Sequence, residues 1–536
     1  MRRTRRATHV AATAAVAAAA LLVAGCSGGG DDDTDGDVLD VLVVKHGLTG
    51  RMVDMEWVSQ LEEAAGVTIR WEEVTSDWDQ KKAAMLPAGD VPDLIIGGNA
   101  ITDADLAVYS SLFEDLSDDM ESLPNVAAMF AEQPRLEAMA TQQDGAVYSL
   151  PSYKRFWPET IGRQYINQTW LDNLGLDVPT TWDELLEVLQ AFKEFDANGN
   201  GDPDDEIPWD WGPFDSTGGF AANHPTMLLG SLGLPLTYGG TTGYVLEDGV
   251  VSSFLVDERY KQVVAFAHEA YAAGLVSEQV LTQDYSTYQS VARGEGDVAA
   301  VGFGWGWTAS DRFGAQLAEQ YTSMAPLLAE PGQTTPVTWS YDDENYTPNH
   351  ITMSADVGAG KEAALAVINA FYDQDISVQV LWGAFGTNVE KTGEDSYEVL
   401  PPADGTSDPS TWKWTTTLAD AGPFWIRDDI DVVLPADIAE AVEQSEPLQE
   451  AFANIDPETD IYPFKYVKIS AEDQSTITLN NTAILNVAMS AFARWLTEGG
   501  IEEEWDGYVS DLEAAGLSAN VEIYQRYYDA YREGQG

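Results

Sequence analysis

The 536-residue sequence contains a single cysteine, Cys26, so no disulfide can form within the chain. It has only 27 Lys and Arg residues against 89 Asp and Glu residues, which gives a formal net charge of −62. No stretch rich in Lys and Arg follows residue 6, whereas a nucleic-acid-binding protein needs a basic surface. The five histidines have no zinc-ligand spacing. These scarcities argue against a nucleic-acid partner and against a zinc site.

Motifs of several enzyme classes are also missing. No G-x-S-x-G nucleophile elbow occurs. The run Gly358-Ala359-Gly360-Lys361 lacks the first glycine and the final Ser or Thr of a phosphate-binding loop. A glycosidase needs two carboxylates at a fixed separation, but with 89 acidic residues the sequence offers too many pairs to decide. A secreted polysaccharide-degrading enzyme therefore stays open as an alternative function.

The composition is that of a folded globular protein. Hydrophobic residues make up 44% of the chain, which includes 17 Trp and 22 Tyr. A chain of 536 residues exceeds the size of one hydrophobic core, so two lobes or domains are expected. No repeat of twenty to fifty residues is visible, which excludes a solenoid.

The N-terminus has the pattern of an export signal. A basic start is followed by a short apolar run that ends in L-V-A-G-C, which predicts a signal peptide over residues 1–25. The position of Cys26 resembles the lipobox of bacterial lipoproteins, and this resemblance implies a lipidated cysteine with acyl chains such as palmitate. Residues 26–37 then predict a flexible tether. The choice between general secretory and twin-arginine export stays open.

The ordered part is expected to begin with a parallel β-α-β unit. Residues 38–44 form a mostly apolar run suited to a strand that is buried on both faces. Residues 52–65 predict a helix, and residues 67–71 predict a second strand. This order indicates an α/β fold.

Several runs, in order, resemble family 1 extracellular solute-binding proteins, the carbohydrate receptors of bacterial ABC importers. They are residues 88–95 (A-G-D-V-P-D-L-I), 144–151 (D-G-A-V-Y-S-L-P), 170–185, 296–305 and 505–517. Each run is weak alone, but their order along nearly all of the mature chain is specific.

The resemblance implies a monomeric, two-lobed α/β receptor of the periplasmic-binding-protein type, with discontinuous lobes and a ligand cleft between them. Residues 38–160 and 335–390 are expected to form the N-terminal lobe, and residues 161–334 and 391–536 the C-terminal lobe. The implied function is to bind an oligosaccharide outside the cytoplasm and deliver it to an ABC permease, without catalysis. A surface adhesin or sensor subunit is a further alternative.

A loop rich in oxygen ligands follows a predicted helix that begins at Thr181. In residues 196–207 (D-A-N-G-N-G-D-P-D-D-E-I), oxygen-bearing side chains alternate with small residues, which is the pattern that a hard cation such as Ca²⁺ requires. The same residues also suit a turn without a metal. The twelfth position, Ile207, departs from an EF-hand loop, so the last ligand stays open.

The length and this loop resemble a long subgroup of the family that includes alginate- and pectin-fragment receptors. The resemblance implies a structural Ca²⁺ site whose ligands are Asp196, Asn198, Asn200, the carbonyl oxygen of Asp202, and Asp204. Asp205 and Glu206 compete for the last ligand position.

Dense aromatic clusters are candidates for sugar binding, because Trp and Tyr rings cover the C–H faces of sugars. The candidate ligand contacts are Tyr153, Trp157, Trp305, Trp307, Trp412 and Trp425.

A basic cluster accompanies the first of these aromatic residues. Lys154, Arg155 and Arg163 would suit a uronate ligand, although a surface counter-charge in an acidic protein is the favoured interpretation. Whether the sugar is neutral or acidic stays open.

Overall fold

The computed structural model describes residues 38–214, 220, 223–237, 242–294, 296–343, 345–402, 415–419 and 421–535. The predicted signal peptide, the tether with Cys26, and Trp412 lie outside the described residues.

The chain alternates strands and helices in its first part and ends in long helices. The first elements are β1 (Val38–Val44), α1 (Glu56–Ala65), β2 (Thr68–Val74), α2 (Trp78–Ala88), β3 (Leu94–Ile96), α3 (Asp103–Tyr109), α4 (Pro124–Glu132), α5 (Pro134–Ala140) and β4 (Ser149–Lys154). The next are β5 (Arg163–Asn167), α6 (Gln168–Leu174), α7 (Trp182–Glu194), β6 (Ile207–Trp209), β7 (Tyr244–Glu247), β8 (Val250–Ser253), α8 (Glu258–Ala272), α9 (Tyr285–Ala292), β9 (Val301–Gly306), α10 (Ala309–Phe313) and β10 (Tyr321–Ser323). The last are β11 (Tyr346–Met353), α11 (Lys361–Phe371), α12 (Gln374–Trp382), β12 (Val389–Lys391), β13 (Ser396–Val399), β14 (Trp425–Ile426), β15 (Asp431–Val433), α13 (Ala436–Glu443), α14 (Gln449–Phe452), α15 (Ala471–Glu498), α16 (Ile501–Ala514) and α17 (Leu517–Gln535). Short 3-10 helices lie at Met52–Asp54, Ser110–Leu112, Leu116–Ser122, Pro225–Leu232, Phe254–Val256, Ala318–Gln320, Gly358–Gly360 and Glu446–Leu448.

The first sheet has six strands in the order β14-β4-β11-β3-β1-β2. Strand β1 is parallel to both β2 and β3, which confirms the predicted β-α-β unit. Val41 and Val43 pack into one core, whereas Leu42 packs into a second core on the opposite face. Successive side chains of a strand point to opposite faces, so an apolar run such as β1 needs helices on both faces.

The second sheet has four strands in the order β10-β5-β9-β6. It lies in a separate core with α7, α8 and the C-terminal helices, and Phe192, Trp209 and Phe303 are fully buried there. Two smaller sheets, β12-β13-β15 and the hairpin β7-β8, complete the strands of the described chain. The two main sheets and their cores give the molecule two centres of packing.

Two crossing segments that connect the main sheets lie side by side. One runs from β4 to β5, and the other runs from β10 to β11. The indole Nε1 of Trp339 donates to the carbonyl of Gly162 at 2.7 Å, and the Thr160 and Ser340 hydroxyls are 2.7 Å apart. These bonds hold the two segments together at the junction between the sheets.

The predicted crossing near residue 390 comes too early. Val389, Tyr397 and Ile430 pack into the core of the first sheet, and β14 pairs in parallel with β4. The chain therefore stays with the first sheet until about β15. The sequence could not show this, because short strands such as β14 carry too few residues for a readable pattern.

Helix α7 begins with a side-chain cap. The Thr181 hydroxyl accepts from the amide of Glu184 at 3.2 Å, while the carboxylate of Glu184 accepts from the amide of Thr180 at 2.7 Å. The first bond satisfies an amide that the first turn of a helix leaves without a partner, and the second ties the residue before the cap to the helix. None of the helices in the described residues is both long enough and apolar enough for a membrane span.

Candidate ligand-binding cleft

The carboxyl ends of β1 and β3 form the first part of the candidate site. Because β1 lies between β2 and β3, the connections leave towards opposite faces, and ligands of open α/β sheets bind at such a switch point. A cavity of about 200 Å³ lies here, lined by Val44, Lys45, His46, Thr49, Gly98, Thr417, Leu418, Ala419 and Ala421.

Lys45 is held firmly at this edge. Its ammonium group forms a 2.5 Å ion pair with Glu73 and donates to the carbonyls of Thr49 and Gly50. The amide of Gly50 in turn donates to the carbonyl of Thr415 at 2.9 Å. The loop after β1 is thereby joined to the segment that closes the other side of the cavity.

A pair of tryptophans lies at the junction between the two sheets. Trp157, on the first crossing segment, stacks on Trp307 at the end of β9, with ring centroids 5.2 Å apart and planes 24° apart. Both side chains are half-buried. We call Trp157 and Trp307 the tryptophan pair. It presents aromatic surface beside both sheets.

Two cations flank the tryptophan pair. The ammonium of Lys154 lies 3.7 Å from the ring centroid of Trp157, and the guanidinium carbon of Arg163 lies 4.7 Å from that of Trp307. Arg163 also donates to the carbonyl of Trp307 at 2.6 Å and to the Ser445 hydroxyl at 2.8 Å. Burial lowers the pKa of Arg163 to about 10. One cation close to each ring helps to fix the orientation of the pair.

Arg155 has a different environment from its neighbour Lys154. Its guanidinium donates to the carbonyls of Asp428 and Ile430. The guanidinium bonds of Arg155 and Arg163 thus hold chain segments together. Arg163 is fully buried and bonds to carbonyl and hydroxyl oxygens, so the interpretation of this residue as a surface counter-charge is wrong.

A second cavity, of about 240 Å³, adjoins the tryptophan pair. It is lined by Trp157, Leu381, Trp382, Val399, Leu400, Pro401, Pro402, Ala419, Leu434, Pro435, Ala436, Asp437 and Ile438. Ala419 lines both this cavity and the one at the switch point. The two cavities and the tryptophan pair therefore lie next to one another, and we call them together the cleft.

A larger cavity, of about 510 Å³, shares no lining residue with the cleft. Five of its charged side chains form ion pairs with one another. Asp343 lies 3.0 Å from both Arg135 and Lys465, and Arg532 lies 3.4 Å from Glu458. We place the candidate site at the cleft, which combines a switch point with half-buried aromatic faces.

The oxygen-rich loop after α7 is curled by bonds between its own residues. The Asp196 carboxylate accepts from the amide of Gly201 at 2.9 Å, and the Asn198 side chain accepts from the amide of Asn200 at 3.0 Å. The Asp205 carboxylate accepts from the side-chain amides of Asn198 and Asn200 at 2.8 and 2.6 Å.

Two carboxylate oxygens of this loop have no partner. They are Oδ1 of Asp196 and Oε2 of Glu206, and both are buried. Burial raises the pKa of Glu206, although its other oxygen accepts from the amide of Asn198 at 3.2 Å. No group of three or more His, Cys, Asp or Glu side chains in the described residues has metal-ligating geometry. The loop instead combines carboxylates with amide oxygens.

The family model of bacterial extracellular solute-binding proteins matches residues 53–376, which is more than half of the chain. The chain belongs to this family. An HMO-binding, ABC-transporter-associated solute-binding protein from Bifidobacterium longum infantis ATCC 15697 is similar in structure, with 35% identity and a TM-score of 0.86. The match covers 93% of this chain and 99% of that one.

A second relative is the fructooligosaccharide ABC transporter substrate-binding protein FusA of Streptococcus pneumoniae serotype 4. It is 28% identical over 499 residues, which are 89% of this chain and 87% of FusA. The structure of FusA with kestose has 25% identity, a TM-score of 0.79, and coverage of 93% and 100%. Alginate-binding protein AlgQ2, at 17% identity, a TM-score of 0.66 and coverage of 92% and 99%, shows the fold alone.

These relatives confirm the predicted family and the two-lobed α/β fold of this solute-binding protein. The first sheet and its cores form one lobe, and the second sheet and its core form the other. The tryptophan pair and the crossing segments therefore lie between the lobes.

The structure separates the predicted ligand contacts into two groups. Trp157 and Trp307 border the cleft with half-buried rings. Trp305 is fully buried against Trp209 and Phe303 in the core of the second sheet, so its prediction as a ligand contact is wrong.

Tyr153 and Trp425 pack in the first sheet and line neither cavity of the cleft, so the structure does not bring these two predicted ligand contacts to the candidate site. Tyr153 is 5% exposed and Trp425 is 6% exposed, and they pair in the first sheet. The Tyr153 hydroxyl donates to Asp428 at 2.7 Å, and burial, together with this carboxylate, raises the pKa of Tyr153.

Lys45, His46, residues 417–419 and Ala421 are cleft residues that the sequence did not single out. The position of Lys45 and His46 directly after the first apolar strand is a usable signal, since ligands bind at carboxyl ends of such strands. The second segment has no comparable signal, because its place depends on contacts with distant residues such as Val380 and His350.

Proposed function

We propose that this solute-binding protein binds an oligosaccharide between its lobes and delivers it to the permease of an ABC importer. The tryptophan pair carries this proposal, because it places two half-buried aromatic rings at the lobe junction, where the C–H groups of a sugar can pack against them. FusA binds fructooligosaccharides according to its name, and the Bifidobacterium relative is described as HMO-binding. Both names support a carbohydrate ligand for this chain.

The proposed mechanism is binding and release without a covalent step. The paired crossing segments act as the hinge, and a ligand that contacts both lobes shifts the population towards the closed form. The rival function, polysaccharide cleavage, predicts new reducing ends after incubation with oligosaccharides. An adhesin predicts binding to intact polymers without dependence on a transporter.

Thermal shift across a panel of neutral and uronate-containing oligosaccharides tests this proposal. A ligand at a hundred times its dissociation constant stabilises a protein by about 2.7 kcal/mol, so binding raises the melting temperature. The Trp307→Ala variant should lose this response. Trp71→Ala is the matched control, because Trp71 is a half-buried tryptophan on the edge strand β2, from which β4 is separated by three strands. Cleavage products, or no response to any sugar, would contradict the proposal.

We also propose a structural Ca²⁺ in the loop after α7. Oxygen donors suit a hard cation, and the partnerless carboxylate oxygens of Asp196 and Glu206 support this assignment. The proposed ligands are Asp196, Asn198, Asn200, the Asp202 carbonyl, Asp204 and Glu206. Glu206 is preferred to Asp205, whose carboxylate already accepts two amide bonds. The bound ion would hold the loop to the end of α7 without a part in ligand chemistry.

Chelation tests the Ca²⁺ proposal. EDTA should lower the melting temperature, and added Ca²⁺ should restore it. Asp196→Ala should abolish the response. Asp202→Ala is the control that should keep it, because only the backbone carbonyl of Asp202 is a proposed ligand. If EDTA does not change the melting temperature, the loop is a turn that binds no metal.

We further propose that Cys26 anchors the protein to the outer face of the cell membrane through acyl chains. The lone cysteine and the preceding L-V-A-G run support this. Metabolic labelling with a palmitate analogue should mark the wild type and leave Cys26→Ser unlabelled. A protein that stays unlabelled would contradict the anchor.

A further inference from the structure

We propose that the ligand is a glycoside with an apolar substituent, an aryl or short acyl group, which occupies the 240 Å³ cavity of the cleft. This inference rests on the proposed oligosaccharide function. It concerns the chemical class of the ligand, and it predicts that an unsubstituted sugar chain fills only part of the cleft.

The composition of the cavity wall is the first argument. Of the thirteen residues that line it, Asp437 alone has a charged side chain, and the only other polar side-chain groups are the indole N–H groups of Trp157 and Trp382. The wall includes Leu381, Trp382 and Ile438, which are 6%, 7% and 4% exposed and belong to packed elements on both sides. A sugar ring buried here would leave most of its hydroxyls without hydrogen-bond partners, which is costly. The wall therefore suits hydrocarbon and not hydroxyl groups.

The connection to the sugar site is the second argument. Trp157 belongs both to the tryptophan pair and to the cavity wall. A sugar packed against the tryptophan pair would thus have its nearest substituent at the mouth of the cavity. Lys154 and Arg163 fix the rings of Trp157 and Trp307, so the entrance is already formed.

The size of the cavity is the third argument. An apolar cavity of about 150 Å³ stays dry and binds benzene, so an apolar cavity of about 240 Å³ has room for a phenyl ring or a short acyl chain. Burial of such a group removes its apolar surface and that of the cavity wall from water together. The gain in binding free energy comes from the substituent and does not depend on which sugar carries it.

Paired glycosides test the inference. The phenyl and methyl glycosides of the oligosaccharide that responds in thermal shift are titrated by calorimetry. We expect the phenyl form to bind about tenfold more tightly, which corresponds to about 1.4 kcal/mol. Leu434→Glu places a charge in the wall and should remove this advantage. Val433→Glu is the matched control, because Val433 is 61% exposed and does not line the cavity.

Benzene is a second probe that does not depend on the sugar. It should raise the melting temperature of the wild type and of Val433→Glu, but not that of Leu434→Glu. If no oligosaccharide binds but benzene does, the proposed function fails while the apolar cavity stands as a binding site. Equal affinity for the phenyl and methyl glycosides, or no effect of benzene on the wild type, overturns the inference while oligosaccharide binding stands.

Discussion

Arg312 and Asp210 form a fully buried ion pair in the lobe of the second sheet. Their nearest nitrogen and oxygen are 2.7 Å apart, and Gln283 donates to the other oxygen of Asp210 at 3.0 Å. Burial raises the pKa of Asp210, and the positive charge of Arg312 opposes this rise. Because each charge depends on its partner, we expect Arg312→Met to lower the free energy of unfolding by about 3–5 kcal/mol. Urea denaturation measures this loss.

An exposed ion pair provides the control for this prediction. Arg494 and Glu504 are 2.5 Å apart, but both side chains are more than 40% exposed. Water solvates the charge that remains, so Arg494→Met should cost at most about 1 kcal/mol. Similar decreases in the free energy of unfolding of both variants would show that burial does not determine how much the Arg312–Asp210 pair contributes to stability.

Two buried histidines should make the protein sensitive to acid. Burial lowers the pKa of His224 to about 3 and that of His350 to about 4, whereas an unfolded histidine has a pKa of about 6.5. Between these values the unfolded chain binds more protons than the folded chain. The free energy of unfolding should therefore fall as the pH drops from 6.5 towards 4, by about 1 kcal/mol per pH unit for each histidine.

Denaturation at several pH values tests this dependence. His224→Gln should have a shallower loss of stability between pH 6.5 and 4 than the wild type, because one proton-binding site of the unfolded chain is gone. The exposed His46→Gln variant is the control. An unchanged slope in His224→Gln would mean that other groups cause the acid sensitivity.

At the scale of elements, strand β9 shows what sequence patterns can and cannot resolve. The run F-G-W-G-W marks an unusual strand, but Phe303 and Trp305 face the core while Trp307 lies just after the strand. The position at which the strand ends determines which tryptophan lies at the cleft. Strand ends depend on pairing with residues distant in sequence, so the local pattern does not show them. The order of strands and helices in residues 38–74 was predictable, because hydrophobic periodicity there is a local property.

The small residues of β9 allow close packing of neighbouring elements. A Cβ atom at Gly302 would lie 2.5 Å from the ring of Phe192 on α7 and 2.9 Å from the carbonyl of Pro208 on β6. We expect Gly302→Ala to lower the free energy of unfolding by about 1–3 kcal/mol, because a buried strand and a packed helix cannot move far enough to make room for the added methyl group. Thermal denaturation measures the loss.

Gly507 on helix α16 is the matched control for this substitution. A Cβ atom there would meet nothing within 4 Å. Alanine is favoured over glycine in a helix by about 1 kcal/mol, so Gly507→Ala should raise the melting temperature. A lower melting temperature for Gly507→Ala, or an unchanged one for Gly302→Ala, would contradict the packing argument.

At the scale of the molecule, the family motifs predicted the two-lobed fold, but the later crossing between lobes was misplaced. The first boundary, predicted after residue 160, falls in the β4-to-β5 segment. The return near β14 depends on two residues, Trp425 and Ile426, that pair with β4. Pairing over such sequence separation leaves no local pattern, which is why the tertiary structure was needed.

The net charge of −62 gives a prediction for the molecule as a whole. Like charges repel most strongly in the compact state, so repulsion among 89 acidic residues against 27 basic ones should favour unfolding. The screening length shortens from about 30 Å at 0.01 M salt to about 10 Å at 0.1 M, so added NaCl should raise the melting temperature. Ca²⁺ is kept saturating in these measurements, and choline chloride replaces NaCl as the control for specific cation binding. If NaCl raises the melting temperature but choline chloride does not, binding of Na⁺ and not screening is the cause. If neither salt raises the melting temperature, repulsion among the acidic residues does not lower the stability of the fold.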